Sequence, residues 1–249
     1  MLSVVIIAYN EEAVIEECLA SLHGFADEII LVDSDSTDKT VAIAKKHDAR
    51  IVNFEFNSFS AQRNEGLKHA KGDFIYYIDA DERVTPEFKK EARDVMFAYN
   101  PLSHTAGYFV TRKTYFLGKD WGMSDRVQRL FYKDKLKEWQ GVVHETPVVS
   151  GQFENINAPI LHFTHRSLAQ MVEKTNKWSV YEAELRFKAH HPPVSWWRLP
   201  RVMIPAFFQS YVGQKGYKNG TAGFIESLYQ SFSIFITYAK LWELQNKRL

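Results

Sequence analysis

Two carboxylates one residue apart, Asp79 and Asp81, are the strongest chemical signal in the chain. They directly follow Phe74–Ile78, an apolar run with the length and composition of a buried strand. Carboxylate oxygens suit Mg²⁺ or Mn²⁺, and such an ion is commonly held by one or two carboxylates plus substrate phosphates. Two acids at a strand end repel each other unless a cation lies nearby. The spacing predicts a divalent-metal site that receives a diphosphate, and a solvated turn is the alternative.

Polar segments also follow two earlier predicted strands. Tyr9-Asn10-Glu11-Glu12 comes after the first strand, and the run from Asp33 to Asp38 comes after the second. An acid after the second strand can accept hydrogen bonds from a ribose hydroxyl or a base N–H. Asp38 fits better as a cap of the next helix. An EF-hand calcium loop starting at Asp33 is excluded. It requires Gly at its sixth position and Glu at its twelfth, and those positions are Asp38 and Ala44.

Elements that position these residues alternate regularly over the first hundred residues. Short apolar runs predict strands, and apolar residues at helical spacing predict helices between them. The predicted strands are Leu2–Ala8, Ile29–Val32, Ile51–Phe54 and Phe74–Ile78. Helices are expected over 14–22, after a cap at Ser36-Thr37, and over Ala61–Ala70. This alternation predicts an open parallel sheet that binds its ligand at the carboxyl ends of the strands.

The pattern changes after about residue 101. Tyr108–Arg112, Val127–Tyr132 and Ile160–Phe163 read as strands and Val142–Glu145 as a short segment, all extending the same sheet. From Ser167 the pattern is helical, with breaks at His190–Pro193 and at the glycine-rich loop Gly213–Gly223. We therefore expect an α/β catalytic domain over 1–166, with a donor half at about 1–100 and an acceptor half at about 101–166. An amphipathic helical extension over 167–249 follows.

Composition and missing motifs exclude several functional classes. The 249 residues are 45% hydrophobic and 24% charged, as in a folded protein, and the formal net charge of +1 argues against a nucleic-acid binder. A single cysteine, Cys18, excludes a disulfide framework and a cysteine-based zinc cluster. No G-x-G-x-x-G follows the first strand, and no phosphate-binding P-loop motif occurs anywhere, which argues against nicotinamide oxidoreductases and P-loop hydrolases.

Four motifs in order carry a family resemblance. They are Ser3–Glu11, Val32–Asp38, Gln62-Arg63-Asn64-Glu65-Gly66 and Gly72–Glu82. Together they resemble family 2 inverting glycosyltransferases of the GT-A fold. One departure is Asp35, which stands where the family usually has glycine. The resemblance implies an α/β, GT-A type, mostly parallel sheet flanked by helices.

The resemblance continues into the second half of the chain. Arg129-Leu130-Phe131, Trp139–Glu145, the strand around His162 and the tail from Gly216 are similar to the branch that contains lipopolysaccharide core β-1,4-glucosyltransferases. The implied activity is transfer of a sugar, glucose by this resemblance, from a UDP-linked sugar to a glycolipid or polysaccharide such as the lipopolysaccharide core. The implied reaction is a single in-line displacement at the anomeric carbon.

Such a reaction assigns roles to particular residues. Asp81 would hold Mg²⁺ or Mn²⁺, with Asp79 nearby for the metal or the ribose. Glu145 is the candidate base that removes the proton of the acceptor hydroxyl, and its neighbour His144 would orient it.

Donor-binding residues are expected at the mouth of the site, by which we mean the edge of the sheet where the carboxyl ends of the parallel strands lie. Tyr9 would stack on the base, Asp33 and Ser34 would contact base or ribose, and Arg63 would pair with base or diphosphate. Asn10 and Glu11 would line the same mouth. His162, a lone histidine on an apolar strand, is interpreted as a core residue and left out of the site.

The last quarter of the chain is basic and aromatic. Residues 187–249 carry eight Lys and Arg against two acids, interleaved with Trp196, Trp197 and many Phe and Tyr residues. Basic residues beside aromatic helices too short to span a bilayer favour an anionic membrane surface, and packing on the catalytic domain or a homodimer is the alternative. The start of the chain shows no signal peptide, so we expect a cytoplasmic protein, peripheral on the inner face of the membrane.

Two other functions stay open from the residues. A sugar-nucleotide pyrophosphorylase shares the α/β plan and acidic metal site, but it needs a basic glycine-rich loop where Tyr9–Glu12 is acidic. A non-catalytic nucleotide-sugar binding scaffold at the membrane is the other alternative, and the presence of both Asp81 and Glu145 argues against it.

Overall fold

The computed structural model describes residues 1–141, 145–164 and 167–246. The predicted segment at Val142–Glu145 lies largely outside these residues, as does His144. The strands are β1 Leu2–Ala8, β2 Glu28–Asp33, β3 Arg50–Asn53, β4 Phe74–Asp79, β5 Glu82–Arg83, β6 Thr105–Phe116, β7 Lys119–Tyr132, β8 Leu136–Gln140, β9 Thr146–Val149 and β10 Gln152–Thr164. The helices are α1 Ile15–Leu22, α2 Thr40–Lys46, α3 Phe59–His69, α4 Pro86–Phe97, α5 Leu168–Lys188, α6 Arg198–Phe208 and α7 Gly220–Asn246.

Eight strands form one sheet, in the order β3-β2-β1-β4-β7-β6-β10-β5. β3, β2, β1 and β4 pair in parallel, whereas β7 pairs antiparallel with β4. β1 is buried along almost its whole length, because helices cover both faces of a parallel sheet. The predicted α/β fold and the extension of the sheet by the later strands are confirmed. β8 and β9 form a separate two-stranded sheet.

One predicted helix start is wrong. Ser36 and Thr37 do not cap α2, which begins at Thr40. Asp38 accepts a hydrogen bond from the Thr40 backbone N–H through Oδ1 at 2.9 Å, so this carboxylate caps the first turn as expected. Ser36 and Thr37 instead bond to Asn10 in the loop after β1. Those interloop bonds hold the two residues outside the helix.

The chain divides into two compact units. The sheet unit comprises Met1–Tyr115 and Ser124–Thr164, and the helical unit comprises Phe116–Met123 and His165–Leu249. The predicted domain division at residues 166 and 167 remains a prediction.

Within the helical unit, α5 begins at Leu168, directly after the expected Ser167, whose hydroxyl caps the helix by accepting the Gln170 N–H. The glycine-rich loop is shorter than predicted, since α7 already begins at Gly220. In the first turn of α7, a Cβ on Gly223 would lie 1.8 Å from the Gly216 carbonyl oxygen, so no other residue fits there. None of the described helices combines the length and the apolar content that crossing a membrane requires.

Candidate functional site

Parallel pairing brings two predicted acids to the same edge of the sheet. Asp33 pairs with Ala8 at the end of β1, and Asp79 pairs with Ile7 on the other side of the same strand. Both acids therefore flank the carboxyl end of β1, as expected for an open α/β sheet.

The loops after β1 and β2 are bonded to each other. Asn10 has a left-handed φ of 55°, and its Oδ1 accepts the Thr37 N–H at 2.8 Å. The Glu11 N–H donates to the Thr40 hydroxyl at 2.7 Å. Asp35, at the position that is glycine in the family resemblance, has φ 60°, a conformation that Asp tolerates better than most residues. The departure from glycine thus leaves this loop intact.

The predicted base- and ribose-binding residues lie at this mouth. Tyr9 is exposed, whereas Asp33 and Ser34 are buried. One Asp33 oxygen accepts the Ser36 N–H at 3.0 Å, while the other is buried without a hydrogen-bond partner among the described residues. A buried carboxylate oxygen with unused accepting capacity is suited to a ligand hydroxyl or N–H.

Each polar residue of the Gln62–Gly66 motif has a distinct contact. Gln62 donates to the Phe54 carbonyl, and Asn64 makes reciprocal bonds with the Trp139 backbone at 2.7 and 2.9 Å. Gly66 packs so closely on Val5 that a Cβ would lie 2.3 Å from a Val5 methyl carbon. The motif therefore fixes α3 to both the main sheet and β8, with Arg63 in the middle.

Arg63 joins the two predicted halves of the site. Its Nη2 donates to Asp79 Oδ1 and its Nε donates to Glu145 Oε1, both at 3.1 Å. Its guanidinium lies 5.0 Å from the centroid of the Trp139 ring, and only 4% of its side chain is exposed. Glu145 is thus held next to the donor-side acid Asp79 by a nearly buried cation.

A second arginine holds the same acid. Arg129 Nη2 donates to Asp79 Oδ2 and to Glu82 Oε1. Glu82, which is fully buried, also accepts from Arg112 and from the Asp79 backbone N–H. Burial acts to raise the pKa of Asp79, but Arg129 and Arg63 outweigh it and hold that pKa below its usual range. Asp79 is therefore ionised and neutralised by arginines.

Asp81 has a different partner. Its Oδ2 lies 3.3 Å from His162 Nε2, because β5 pairs antiparallel with β10 and places His162 opposite Glu82. The second ring nitrogen of His162 is buried without a hydrogen-bond partner among the described residues.

The Asp81–His162 pair fits a divalent cation in its donor chemistry. A carboxylate oxygen and an imidazole nitrogen this close together are two donors that face one point, and imidazole favours a transition ion such as Mn²⁺ over Mg²⁺. Groups of three or more His, Cys, Asp or Glu suited to a metal do not occur in the part of the chain that the structure describes. The pair would need phosphate oxygens or water to complete the coordination.

A cleft of about 300 Å³ opens beside Arg63 and Glu145, and we call it the arginine cleft. Its charged lining consists of Arg63, Asp79, Arg112, Arg126, Arg129 and Glu145, with Trp139 at one wall. Asp81, His162, Tyr9, Asp33 and Ser34 are not part of this lining. The cleft therefore contains the candidate base and Asp79, but not the other predicted donor and metal residues.

Sequence reasoning did not assign roles to Glu82, Arg112 or Arg129 and left His162 outside the site. Glu82 directly follows the paired acids, and Arg129 lies in one of the segments that carry the family resemblance. These two positions were the sequence signals that could have placed Glu82 and Arg129 in the site. The pairing of β5 with β10, on which the position of His162 depends, has no sequence signal of its own because β5 has only two residues.

Comparison with known proteins gives a consistent set of relatives. The sequence model of glycosyl transferase family 2 matches residues 3–153. The chain is similar to the lipopolysaccharide core biosynthesis glycosyltransferase LpsC of Rhizobium meliloti (strain 1021), with 28% identity over 253 residues that cover 97% of this chain and 92% of LpsC. It is also similar to an uncharacterized glycosyltransferase of Rickettsia bellii (strain RML369-C), with 29% identity over 98% of this chain and 86% of that protein.

Solved structures show weaker likenesses. Residues 1–349 of S. aureus TarS, in complex with UDP-GlcNAc, have a TM-score of 0.48 at 14% identity and cover 99% of this chain and 91% of that chain. Glucosyl-3-phosphoglycerate synthase of Mycobacterium tuberculosis, in complex with Mn²⁺, UDP and glucosyl-3-phosphoglycerate, has a TM-score of 0.47 at 20% identity and covers 77% and 81%.

Proposed function

Because the chain belongs to glycosyl transferase family 2, we propose that it transfers glucose from UDP-glucose, with inversion at the anomeric carbon, to a glycolipid or polysaccharide of the lipopolysaccharide core type. The similarity to LpsC along nearly the whole of both chains supports the acceptor class. Glucose and UDP rest on the sequence resemblance alone.

One observation carries this proposal. Arg63 donates to Glu145 and to Asp79 at the same time, both at 3.1 Å. The candidate base of the acceptor half and the first acid of the donor half are therefore neighbours within one site. An in-line displacement needs this arrangement, because the attacking hydroxyl and the leaving diphosphate must flank the same anomeric carbon.

In the proposed mechanism, Glu145 takes the proton of the acceptor hydroxyl as that oxygen attacks the anomeric carbon. Arg63 orients the Glu145 carboxylate before the transfer through its Nε–H bond to Oε1. Asp33 and Ser34 bind the ribose or the base, and Tyr9 stacks on the base. Asp79 is held by Arg63 and Arg129 where it can accept from the ribose.

Asp81 and His162 would hold the divalent ion. When bound there, Mn²⁺ or Mg²⁺ supplies positive charge that stabilises the leaving diphosphate. The sequence argument named Asp81 for this task, and the 3.3 Å contact supports adding His162.

A thermal-shift panel of nucleotide-sugar donors tests the proposal directly. The full chain is heated with a panel of nucleotide-sugars, with and without Mn²⁺, and its melting temperature is recorded. We expect stabilisation by UDP-glucose that requires Mn²⁺, and NMR of the product glycoside should show the β anomer. Absence of a shift with every nucleotide-sugar, or an α-linked product, would contradict it. Turnover that survives Asp81→Ala would instead favour a metal-free role for this site.

We also propose that the helical unit lies on the inner face of the membrane. No residue of α6 is buried, and Trp196 and Trp197 before it are 81% and 45% exposed. Arg198 and Arg201 place their guanidiniums 5.7 and 5.8 Å from the Trp197 ring centroid. Exposed aromatic rings beside cations support binding in the headgroup region of an anionic bilayer.

Vesicle sedimentation tests the membrane proposal. The full chain should bind vesicles containing phosphatidylglycerol at least tenfold more tightly than phosphatidylcholine vesicles. Trp196→Ala with Trp197→Ala should remove most of that binding. Phe97→Ala, which alters an aromatic residue that is 95% exposed on the sheet unit, is the matched control and should change little. Equal binding by the double variant and the wild type would refute the proposal.

A further inference from the structure

The arginine cleft has more positive than negative charge in its lining. Four arginines line it, against the two carboxylates Asp79 and Glu145. A molecule that places a hydroxyl at Glu145 must therefore lie among guanidinium groups. A neutral sugar gains little from such a surrounding, whereas an anionic group gains charge-assisted hydrogen bonds.

Two of the four arginines already serve the protein itself. Arg63 bridges Asp79 and Glu145, and Arg129 bridges Asp79 and Glu82. Their side chains are only 4% and 6% exposed. These inner arginines neutralise acids of the site.

The two outer arginines, Arg112 and Arg126, are differently placed. Arg112 divides its donors between buried Glu82 and Asp125, and the Asp125 side chain is 51% exposed, so water screens that pair. Arg126 is exposed, and its described hydrogen bond runs from Nη1 to the neutral amide oxygen of Asn155 at 3.0 Å. A guanidinium has five N–H donors in a planar fork that matches a phosphate or a carboxylate.

We infer that the acceptor carries a phosphate or carboxylate group, which Arg126 and Arg112 bind while a hydroxyl of the same acceptor lies at Glu145. This inference rests on the proposed function and names the acceptor chemistry of that site. Arg126 is three residues from Arg129 along β7, so their Cα atoms are about 10 Å apart along the strand. That span accommodates a sugar residue together with an anionic substituent.

The donor diphosphate is the other possible source of the anion. The lining of the cleft favours the acceptor, because it includes Glu145 and, of the donor-side residues, only Asp79 and Arg63, which already bond to each other. Asp81, His162, Asp33 and Ser34 are not part of it. An acceptor anion and a donor diphosphate bound at separate places do not compete. This difference separates the two sources experimentally.

The test measures binding of glucose 6-phosphate to the full chain by thermal shift, with and without saturating UDP and Mn²⁺, and with glucose as the uncharged probe. We expect glucose 6-phosphate to stabilise the protein further when UDP and Mn²⁺ are present, and glucose to have little effect. Arg126→Gln should weaken glucose 6-phosphate binding about tenfold or more, while the affinity for UDP changes less than twofold. Arg126→Lys should recover only part of the loss, since lysine keeps the charge without the fork.

Arg93→Gln is the matched control, because Arg93 is an arginine of the same unit outside the cleft. It should leave both affinities unchanged. Loss of glucose 6-phosphate binding on addition of UDP would assign the arginines to the donor diphosphate and overturn the inference. Unchanged binding in Arg126→Gln, or no binding by the wild type, would overturn it as well. If the chain binds no UDP-sugar, the proposed function fails, yet the probe without UDP still reports on Arg126.

Discussion

The two units of the chain give their buried acidic side chains different hydrogen-bond partners. In the sheet unit, fully buried Glu82 accepts hydrogen bonds from Arg112 and Arg129. In the helical unit, Glu226 on α7 is 8% exposed and bonds to the neutral amide of Gln230, while its Oε2 has no partner among the described residues. In the sheet unit, Arg129 and Arg63 outweigh burial at Asp79 and hold its pKa below the usual range, whereas burial prevails at Glu82 and at Glu226 and raises the pKa of both. Arginine partners therefore keep Asp79 ionised, but they do not cancel the effect of burial at Glu82.

A similar contrast separates the two acids that began the sequence argument. Asp79 bonds to two arginines, and Asp81 lies beside one histidine. Asp79 therefore already has cationic partners within the protein, whereas the proposed mechanism gives the metal ion to Asp81 and His162. Two carboxylates that look equivalent in sequence have different neighbours in the structure.

The largest expected effect comes from the acid that shares Arg63 with Asp79. Glu145→Gln keeps the shape of the side chain but removes its basicity, so kcat for glycosyl transfer should fall by about 10²–10⁴. Affinity for UDP-glucose with Mn²⁺ should stay within about threefold. Glu138→Gln, an exposed acid on β8, is the control and should keep wild-type kcat. A loss of less than tenfold in Glu145→Gln would remove Glu145 from the role of base.

Breaking the arginine compensation should cost stability. Arg129→Met leaves Asp79 and buried Glu82 with one arginine fewer each, and we expect the free energy of unfolding to drop by about 3 kcal/mol. Urea unfolding followed by circular dichroism measures it. Adding Glu82→Gln should recover part of the loss, because the uncompensated charge is then gone. Arg126→Met, at an exposed site, should change the free energy by less than about 0.5 kcal/mol. A similar cost in both single variants would show that charge compensation is not what matters.

The partner of Asp81 should control metal affinity. His162→Ala removes one of the two proposed ligands, and the Mn²⁺ concentration needed for half-maximal UDP binding should rise about 10- to 100-fold. Calorimetry of UDP binding at a series of Mn²⁺ concentrations measures this. His69→Ala, which alters a histidine paired with Glu65 on α3, is the control. An unchanged metal requirement would leave His162 as a core residue, as the sequence alone suggested.

The smallest effect is expected in the helical unit. Burial raises the pKa of Glu226 above its usual range, although the Gln230 bond acts in the opposite direction. An acid with a raised pKa in the folded state contributes stability below the unfolded pKa, and that contribution is lost as the pH rises through the folded pKa. Glu226→Gln should therefore be more stable than the wild type by about 1 kcal/mol at pH 8.

The pH dependence checks that last prediction. The difference in melting temperature between Glu226→Gln and the wild type should grow from pH 5 to pH 8. Glu243→Gln, an exposed acid on the same helix, should show a small difference that stays constant over this range. A difference in Glu226→Gln that is already constant from pH 5 would mean that Glu226 is charged in the folded protein.

The sheet could be predicted from sequence where its signal is local. β1 matches its expected bounds, and β2, β3 and β4 differ from theirs by one residue at one or both ends. Their bounds could be predicted because short apolar runs alternate with helical patterns along the chain. β6 and β7 extend well beyond the predicted strands, into Thr105–Phe116 and Lys119–Tyr132. The parts of β6 and β7 beyond the predicted ranges contain many polar residues, so they lack the apolar pattern from which strands are predicted. The predicted start of α2 was wrong, because Ser36 and Thr37 bond to Asn10 in another loop and stay outside the helix.

The candidate site shows the same division. Asp79, Arg63 and Glu145 were named separately from sequence, and the structure brings all three together through the Arg63 guanidinium. Asp33 lies at the predicted strand end, and Tyr9 is exposed beside it. The roles of Glu82 and Arg129 could not be predicted, since they follow from a contact between residues 47 positions apart.

The amino-acid sequence by itself determined that an α/β sheet would present acids at its carboxyl edge, because strand and helix periodicities are local properties of the chain. It also determined a basic, aromatic last quarter. Only the tertiary structure decided which acid is neutralised by arginines and which lies beside a histidine. That choice depends on strand order and on the pairing of β5 with β10, and long-range pairing leaves no periodic trace in a single sequence.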